Sequence, residues 1–436
     1  MTDNCGLFWL CLLLLMTPFI AAEGLSVLNL EKALSFAHQD HPDVLLQKAR
    51  QQQAKAEYEN LDAENLGARA RLILDGRWVE PGDSSDSRQF TGSISHNDSR
   101  AHFIIDKTLY DFGATRASLA AKEAEVHVEE QNLALLYQQR RISIARAFFN
   151  VLLADLEFAF ADESMAIEFV RLDRLKDRNR LGQLSDIALA RQENSYQSQR
   201  IIRYQAEANQ RIMRAQLAEI MSQPDELPVD LLKPDLQLDR DIPEYDVLVE
   251  QAMTANPLLT VLQADMQAST LQLKAARSSA RPVIRGELRA SEYNREFITR
   301  DRYRAGLLLE IPLYTGGRTG SKRKQAQAGF LETEALLAMQ KIEIRQALRE
   351  AVERLLILRV TREQAIAEQD FRDLDLDRAR TEYELEFVSD LGNAMADSTG
   401  ARFKREKAEY ELALTWAEIA LLTGHPEWEI FQAERQ

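Results

Sequence analysis

The chain has 436 residues, with 54 Lys and Arg against 69 Asp and Glu, a formal charge of −15. That acidic balance argues against nucleic-acid binding, which needs a basic face. With 45 % hydrophobic residues it is no disordered acidic tail, and it is long enough for one large domain or two medium ones.

Leu7 to Ile20 is apolar apart from Thr17, and Ala21-Ala22 precedes the polar Glu23. This pattern predicts a secretory signal peptide over 1–22, with the small residues at its cleavage site. The first six residues hold Asp3 and no Lys or Arg, so a short N-terminal anchor is the rival reading. Both cysteines, Cys5 and Cys11, lie in this leader, and the exported chain is expected to carry no disulfide. No later run approaches 18 apolar residues, as a spanning helix requires.

A helical stretch opens at His41-Pro42 and leads into alternating sequence. From Arg69 to Glu80, Leu72, Leu74, Gly76 and Trp78 face one way while Arg71, Asp75 and Arg77 face the other. From Arg100 to Asp111, Phe103, Ile105 and Leu109 oppose Arg100, His102 and Asp106. Period two with one charged and one apolar face fits a wall between lipid and water, and a half-buried soluble sheet as well. Strands are therefore predicted at about 69–80 and 99–111, joined by a loop through Pro81-Gly82-Asp83.

The run Leu109-Tyr110-Asp111-Phe112-Gly113 reads as a strand-to-helix turn at Gly113. Between Ala114 and Leu181 there is neither Gly nor Pro, which allows about 100 Å of helix. Val128, Leu135, Ile142, Phe149, Leu156 and Val170 share one heptad position, with Glu163 its polar member. Ala145, Leu152, Ala159 and Ala166 lie three places on. This is coiled-coil patterning with small partners, which a soluble rod would also show. Leu184-Ser185-Asp186 then marks a turn into a returning helix. Pro224, Pro228, Pro234 and Pro243, with many Asp residues, mark a linker over 223–242.

The pattern then repeats. Asn256-Pro257 matches His41-Pro42, Leu313-Tyr314 to Gly317 matches Leu109 to Gly113, and Val388-Ser389-Asp390 matches Leu184-Ser185-Asp186. Strands are predicted at about 282–292 and 301–313, where Tyr303, Ala305, Leu307, Leu309, Ile311 and Leu313 oppose Arg302, Arg304 and Glu310. Leu337, Ile344, Ala351, Leu358 and Ala365 repeat the seven-residue step. The predicted division is a first repeat over 23–222, the linker, a second repeat over 243–428 and a tail over 429–436. Four strands are too few to close a membrane barrel, so closure would need several copies. The lipid-facing candidates are Leu72, Leu74, Trp78, Phe103, Ile105, Leu307 and Leu309.

The duplication, the turns at Gly113 and at Gly316-Gly317, and the helix-turn-helix segments near Gly182 and Ser389 resemble the TolC-like outer-membrane efflux protein family. The resemblance implies a mixed α and β fold: an α-barrel of long antiparallel coiled-coil helices, with four strands per protomer in a trimeric twelve-stranded transmembrane β-barrel. It implies a homotrimer in the outer membrane of a Gram-negative bacterium, in contact with its lipid and extending into the periplasm. It also implies a periplasmic adaptor (membrane fusion) protein and an inner-membrane pump of RND or ABC type, serving efflux or type I secretion. The pore constriction is then expected at Asp186, Asp390 and Asp397, with Asp390 foremost because the second repeat's turn lines the inner opening in that family. Glu386 stands where the family often has Gly.

No catalytic constellation is present in the sequence, and no enzyme activity or cofactor is expected. Gly316 to Lys322 resembles a phosphate loop but lacks the Gly-x-x-x-x-Gly-Lys spacing. His38 and His41 lie three apart, yet without an adjacent acidic ligand set they read as surface residues. The alternative function is a periplasmic coiled-coil scaffold or adaptor, though the β-rich lipoyl-like module of an adaptor is missing. Cargo, whether drugs, metal ions or polypeptides, has no signature in the chain.

Overall fold

The computed structural model describes residues 28–79, 96–224, 228, 230–294, 300–385 and 390–425. The expected signal peptide, the loop from Pro81, Glu386, Ser389 and the tail over 429–436 lie outside them. Two short helical segments, α1 (Leu30–Ser35) and a 3-10 turn (Phe36–His38), precede α2 (Pro42–Leu66). Pro42 at its first position and His41 as its N-cap start α2, because proline lacks the N–H that a first turn leaves unpaired. The strands β1 (Arg69–Asp75) and β2 (Arg100–Tyr110) lead to α3 (Ala114–Arg180) and α4 (Asp186–Ile220). After the linker come α5 (Tyr245–Ala255), α6 (Pro257–Ser278), β3 (Val283–Tyr293), β4 (Tyr303–Glu310), α7 (Arg318–Glu384) and α8 (Leu391–Thr423).

The four strands form one antiparallel sheet in the order β1-β2-β3-β4. β1 stops at Asp75, earlier than its alternation suggests, and the pairing resumes at a single Trp78–Asn97 bridge. β4 stops at Glu310 because Pro312 has no N–H to offer a ladder. Both α3 and α7 run for 67 residues, about 100 Å each.

The main core lies at mid-length, where α1, α5 and the linker wrap the long helices. Phe149 stacks on the fully buried Tyr410 at 4.6 Å. Arg140 ties this belt together: its Nε donates to the Ala37 carbonyl at 3.1 Å and its Nη2 to the Ile220 carbonyl at 3.0 Å. Each acceptor lies at a helix end, where carbonyls lack intrahelical partners. On α7, Leu337, Ile344, Ala351, Leu358 and Ala365 are all buried. On α3 the heptad row behaves differently. Leu135, Ile142 and Phe149 are buried, whereas Val170 is exposed. A straight helix drifts about 20° per heptad, and α3 packs on α2 and α6 above the belt but on α4 and α8 below it.

Close approaches rest on glycines. A Cβ on Gly424, at φ +71°, would sit 1.8 Å from the Ala255 carbonyl oxygen. Gly424→Ala is expected to lower stability by about 2 kcal/mol or more, combining left-handed strain with the clash. Gly76→Ala, with nothing within 4 Å, is expected to be near neutral. Thermal unfolding followed by circular dichroism measures both, and equal melting temperatures would contradict the packing described.

Candidate membrane wall and tip turns

The sheet register sorts the side chains onto two faces. Leu72 pairs with Phe103, Phe103 with Ala290 and Ala290 with Tyr303. Ala70, Ile105, Leu288 and Ala305 form the next row, and Gly286 with Leu307 and Ile284 with Leu309 continue it. All these residues share one face, because side chains alternate along a strand. Leu72, Leu74 and Leu307 are 65–77 % exposed there. Phe103 and Leu309 are also exposed, whereas Ile105 is half-buried. Trp78 lies beyond β1, exposed and stacked on His96. A bulge at Leu109 keeps the apolar face continuous, since the Leu109 side chain covers Gly286.

The opposite face is ionic. Arg69 and Arg71 both reach Asp106 at 2.9 Å. Arg285 pairs with Glu310 at 2.9 Å and Arg289 with Glu287 at 3.0 Å. His102 Nδ1 and Ser291 Oγ share a hydrogen bond of 2.9 Å. Arg304 stands opposite Arg289. Ile73, the buried Ile104 and Leu308 interrupt the charges without joining the apolar side.

Glycines turn each strand into its long helix. Gly113 (φ +86°) caps α3 and Gly317 (φ +83°) caps α7, with Gly316 also left-handed at +62°. Phe112 takes the matching left-handed position before Gly113, at φ +56°, which is strained for an aromatic residue. Arg281 donates to the Phe112 carbonyl, and Asp111 accepts from the Gly113 N–H at 2.9 Å and from Thr115. Gly316 to Lys322 is thus a turn and a helix start.

At the far end of the helices, Ser185 caps α4 by accepting from the Ala188 N–H. Asp186 follows as the first helical residue and accepts from the Asn179 amide at 3.1 Å. Asp390 stands at the cap position of α8 but makes no capping bond. Its carboxylate instead takes two bonds from Arg171 on α3, at 2.9 and 3.2 Å. Asp397 pairs with Arg372 at 2.8 Å. Gly392 and Gly400 bring α8 against Ile167 and Phe160 of α3, where a Cβ would meet those side chains at 3.0 and 3.1 Å. The sequence reading missed both arginine partners. It also passed over two glycines eight apart in one helix, a spacing that signals close approach.

A cavity of about 250 Å³ lies between α2, α3 and α6, lined by Arg50, Glu57, Glu125, Glu129 and Asp265 among others. Burial pushes the Asp265 carboxyl above its ordinary value, and Glu125, Glu129 and Glu332 push it further. Among the described residues no group of three His, Cys, Asp or Glu side chains could hold a metal ion. His41 caps α2 and His38 packs on Tyr137. No described helix is long and apolar enough to cross a membrane.

No protein-family profile matches the sequence, and no curated protein matches it significantly. Solved structures do match. The CmeC outer membrane channel of Campylobacter jejuni superposes with a TM-score of 0.72 at 15 % identity, covering 93 % of this chain and 87 % of that one. The chain has the fold of the TolC-like outer-membrane channels. The outer membrane protein VceC of Vibrio cholerae gives 0.67 at 16 % identity, over 91 % and 96 % of the two chains. The MtrE outer membrane channel of Neisseria gonorrhoeae, in its open state, gives 0.67 at 15 % identity over 93 % and 91 %.

The two-faced sheet yields a direct test. Leu307→Arg is expected to impair assembly into membranes, since a lipid-facing charge costs about 2–4 kcal/mol at mid-bilayer. Arg304→Leu, on the ionic face, is expected to be milder. Heat-resistant, detergent-extractable protein in washed membranes is the readout. Equal tolerance on the two faces would mark the sheet as a soluble one.

Proposed function

We propose that three copies of this chain close a ring around one pore, which carries cargo out of the periplasm across the outer membrane. The observation that carries this reading is the sheet: one continuous apolar face, one ionic face and two open edges. Three copies supply twelve strands, with the ionic face lining water and the apolar face meeting lipid. The likeness to proteins named as outer membrane channels supports it. The long helices then form a tunnel that receives cargo from an inner-membrane pump of RND or ABC type, through a periplasmic adaptor. We read residues 23–222 and 243–428 as two copies of one unit, each contributing two strands and one long helix.

The tip turns carry the candidate constriction. Asp186, Asp390 and Asp397 would each appear three times around the axis, and charged rings set the preference of a pore for cations or anions. Asp390 and Asp397 already have arginine partners, which offset part of the charge of those rings, although Arg171 is shared with Glu168. Among the described residues Asp186 meets the Asn179 amide and no cation.

Single-channel recordings in planar bilayers test this, with the parent expected to form pores. Arg171→Gln leaves Asp390 unpaired and is expected to raise cation preference. Asp390→Asn removes one carboxylate from Arg171, leaving it on Glu168 at 2.9 Å, and is expected to lower that preference. The double variant should return near the parent. Pores whose selectivity ignores all three would place the constriction elsewhere, and no pores at all would refute the channel reading.

A further inference from the structure

The helices are ordered like the strands. In the half next to the sheet, α3 packs on α2 and α6, and α6 packs on α7. So α2 and α7 are the outer members of that layer, as β1 and β4 are of the sheet. Every neighbouring strand pair is antiparallel, so β4 of one copy can add to β1 of the next in the same alternation. That addition sets the end of β4 beside the start of β1. It therefore brings the start of α7 beside the end of α2.

Those two helix ends carry opposite charge. Arg318, Lys322, Arg323 and Lys324 open α7, and no Asp or Glu lies between Glu310 and Glu332. Glu59, Asp62 and Glu64 close α2, whose last turn has no basic residue. Both sets oppose the dipole of their own helix, which favours acids at the start and bases at the end. Neither set is neutralised by the described residues of its own protomer. The four cations form no ion pair among the described residues, nor do the three acids; Glu64 takes only the Asn60 amide at 3.5 Å. At about 1.5 Å per residue, both sets lie within roughly 10 Å of the sheet-side ends of their helices.

The surfaces between them suit a seam. Ala49, Ala56 and Ala63 recur at heptad spacing on α2, all exposed. Leu331, Met339 and Ile342 are exposed on α7. Small residues facing larger apolar ones, flanked by long charged side chains, make a coiled-coil contact whose charges set partner and register.

We propose that α7 of one copy lies antiparallel against α2 of the next, clasped by Arg318, Lys322, Arg323 and Lys324 on Glu59, Asp62 and Glu64. The occupant of each edge is a second copy of this chain, and the inference rests on the ring proposed above. The clasp lies just below the membrane wall, gives the ring its head-to-tail direction, and relieves two helix ends that are unfavourable alone.

Charge reversal of the full chain in mild detergent tests the clasp, read as the temperature at which the trimer dissociates on native gels. Lys322→Glu with Arg323→Glu and Lys324→Glu is expected to lower that temperature. Glu59→Lys with Asp62→Lys and Glu64→Lys is expected to do the same. The two sets combined should recover most of the loss, and added salt should shrink all the differences. The gentler pair Lys324→Gln and Glu59→Gln should be less than additive. A combined variant no better than its worse parent overturns the clasp while leaving the ring intact. So does an α2 set without effect beside an α7 set that responds only to added phosphatidylglycerol, because the cations then serve lipid. A parent chain that runs as a monomer overturns the ring itself.

Discussion

Every backbone polar group inside a bilayer must find its partner within protein, because hydrocarbon offers none. The sheet of this chain has an apolar face four strands wide, yet among the described residues β1 and β4 each leave one side of their backbone open. A flat patch of that kind is unstable in lipid and prone to pair with other edges in water. Closure on further copies removes both problems at once.

The helices meet a different constraint. They are long and rich in charge, and they are stiffened from within the bundle. The mid-length belt does this through Phe149, Tyr410 and the Arg140 bonds to two helix ends. Away from the belt, α3 and α8 approach through Gly392 and Gly400, and ion pairs such as Arg171–Asp390 hold the tip. Exposed pairs are weak, about 0–1 kcal/mol each.

The two-faced strands were legible because period two is local and each face carries its own chemistry. Strand ends were harder, since Pro312 acts through pairing that a single strand does not display. The row Leu337 to Ala365 could be read from spacing alone because α7 keeps one buried face along that run. The row from Val128 to Val170 could not, because α3 changes neighbours along its length. Asp390 was recognisable as a turn residue, but its partner Arg171 lies 219 positions away, beyond any local pattern. The acidic end of α2 and the basic start of α7 are both plain in the sequence. Only the order of elements in the fold sets them at opposite edges of one layer.

Ring closure is tested most directly by single-particle electron microscopy of the detergent-extracted full chain. The account predicts a three-fold particle, hollow when viewed along its long axis, with a twelve-stranded wall at one end and the helix tips at the other. A solid rod, a lone protomer or a two-fold assembly would contradict it.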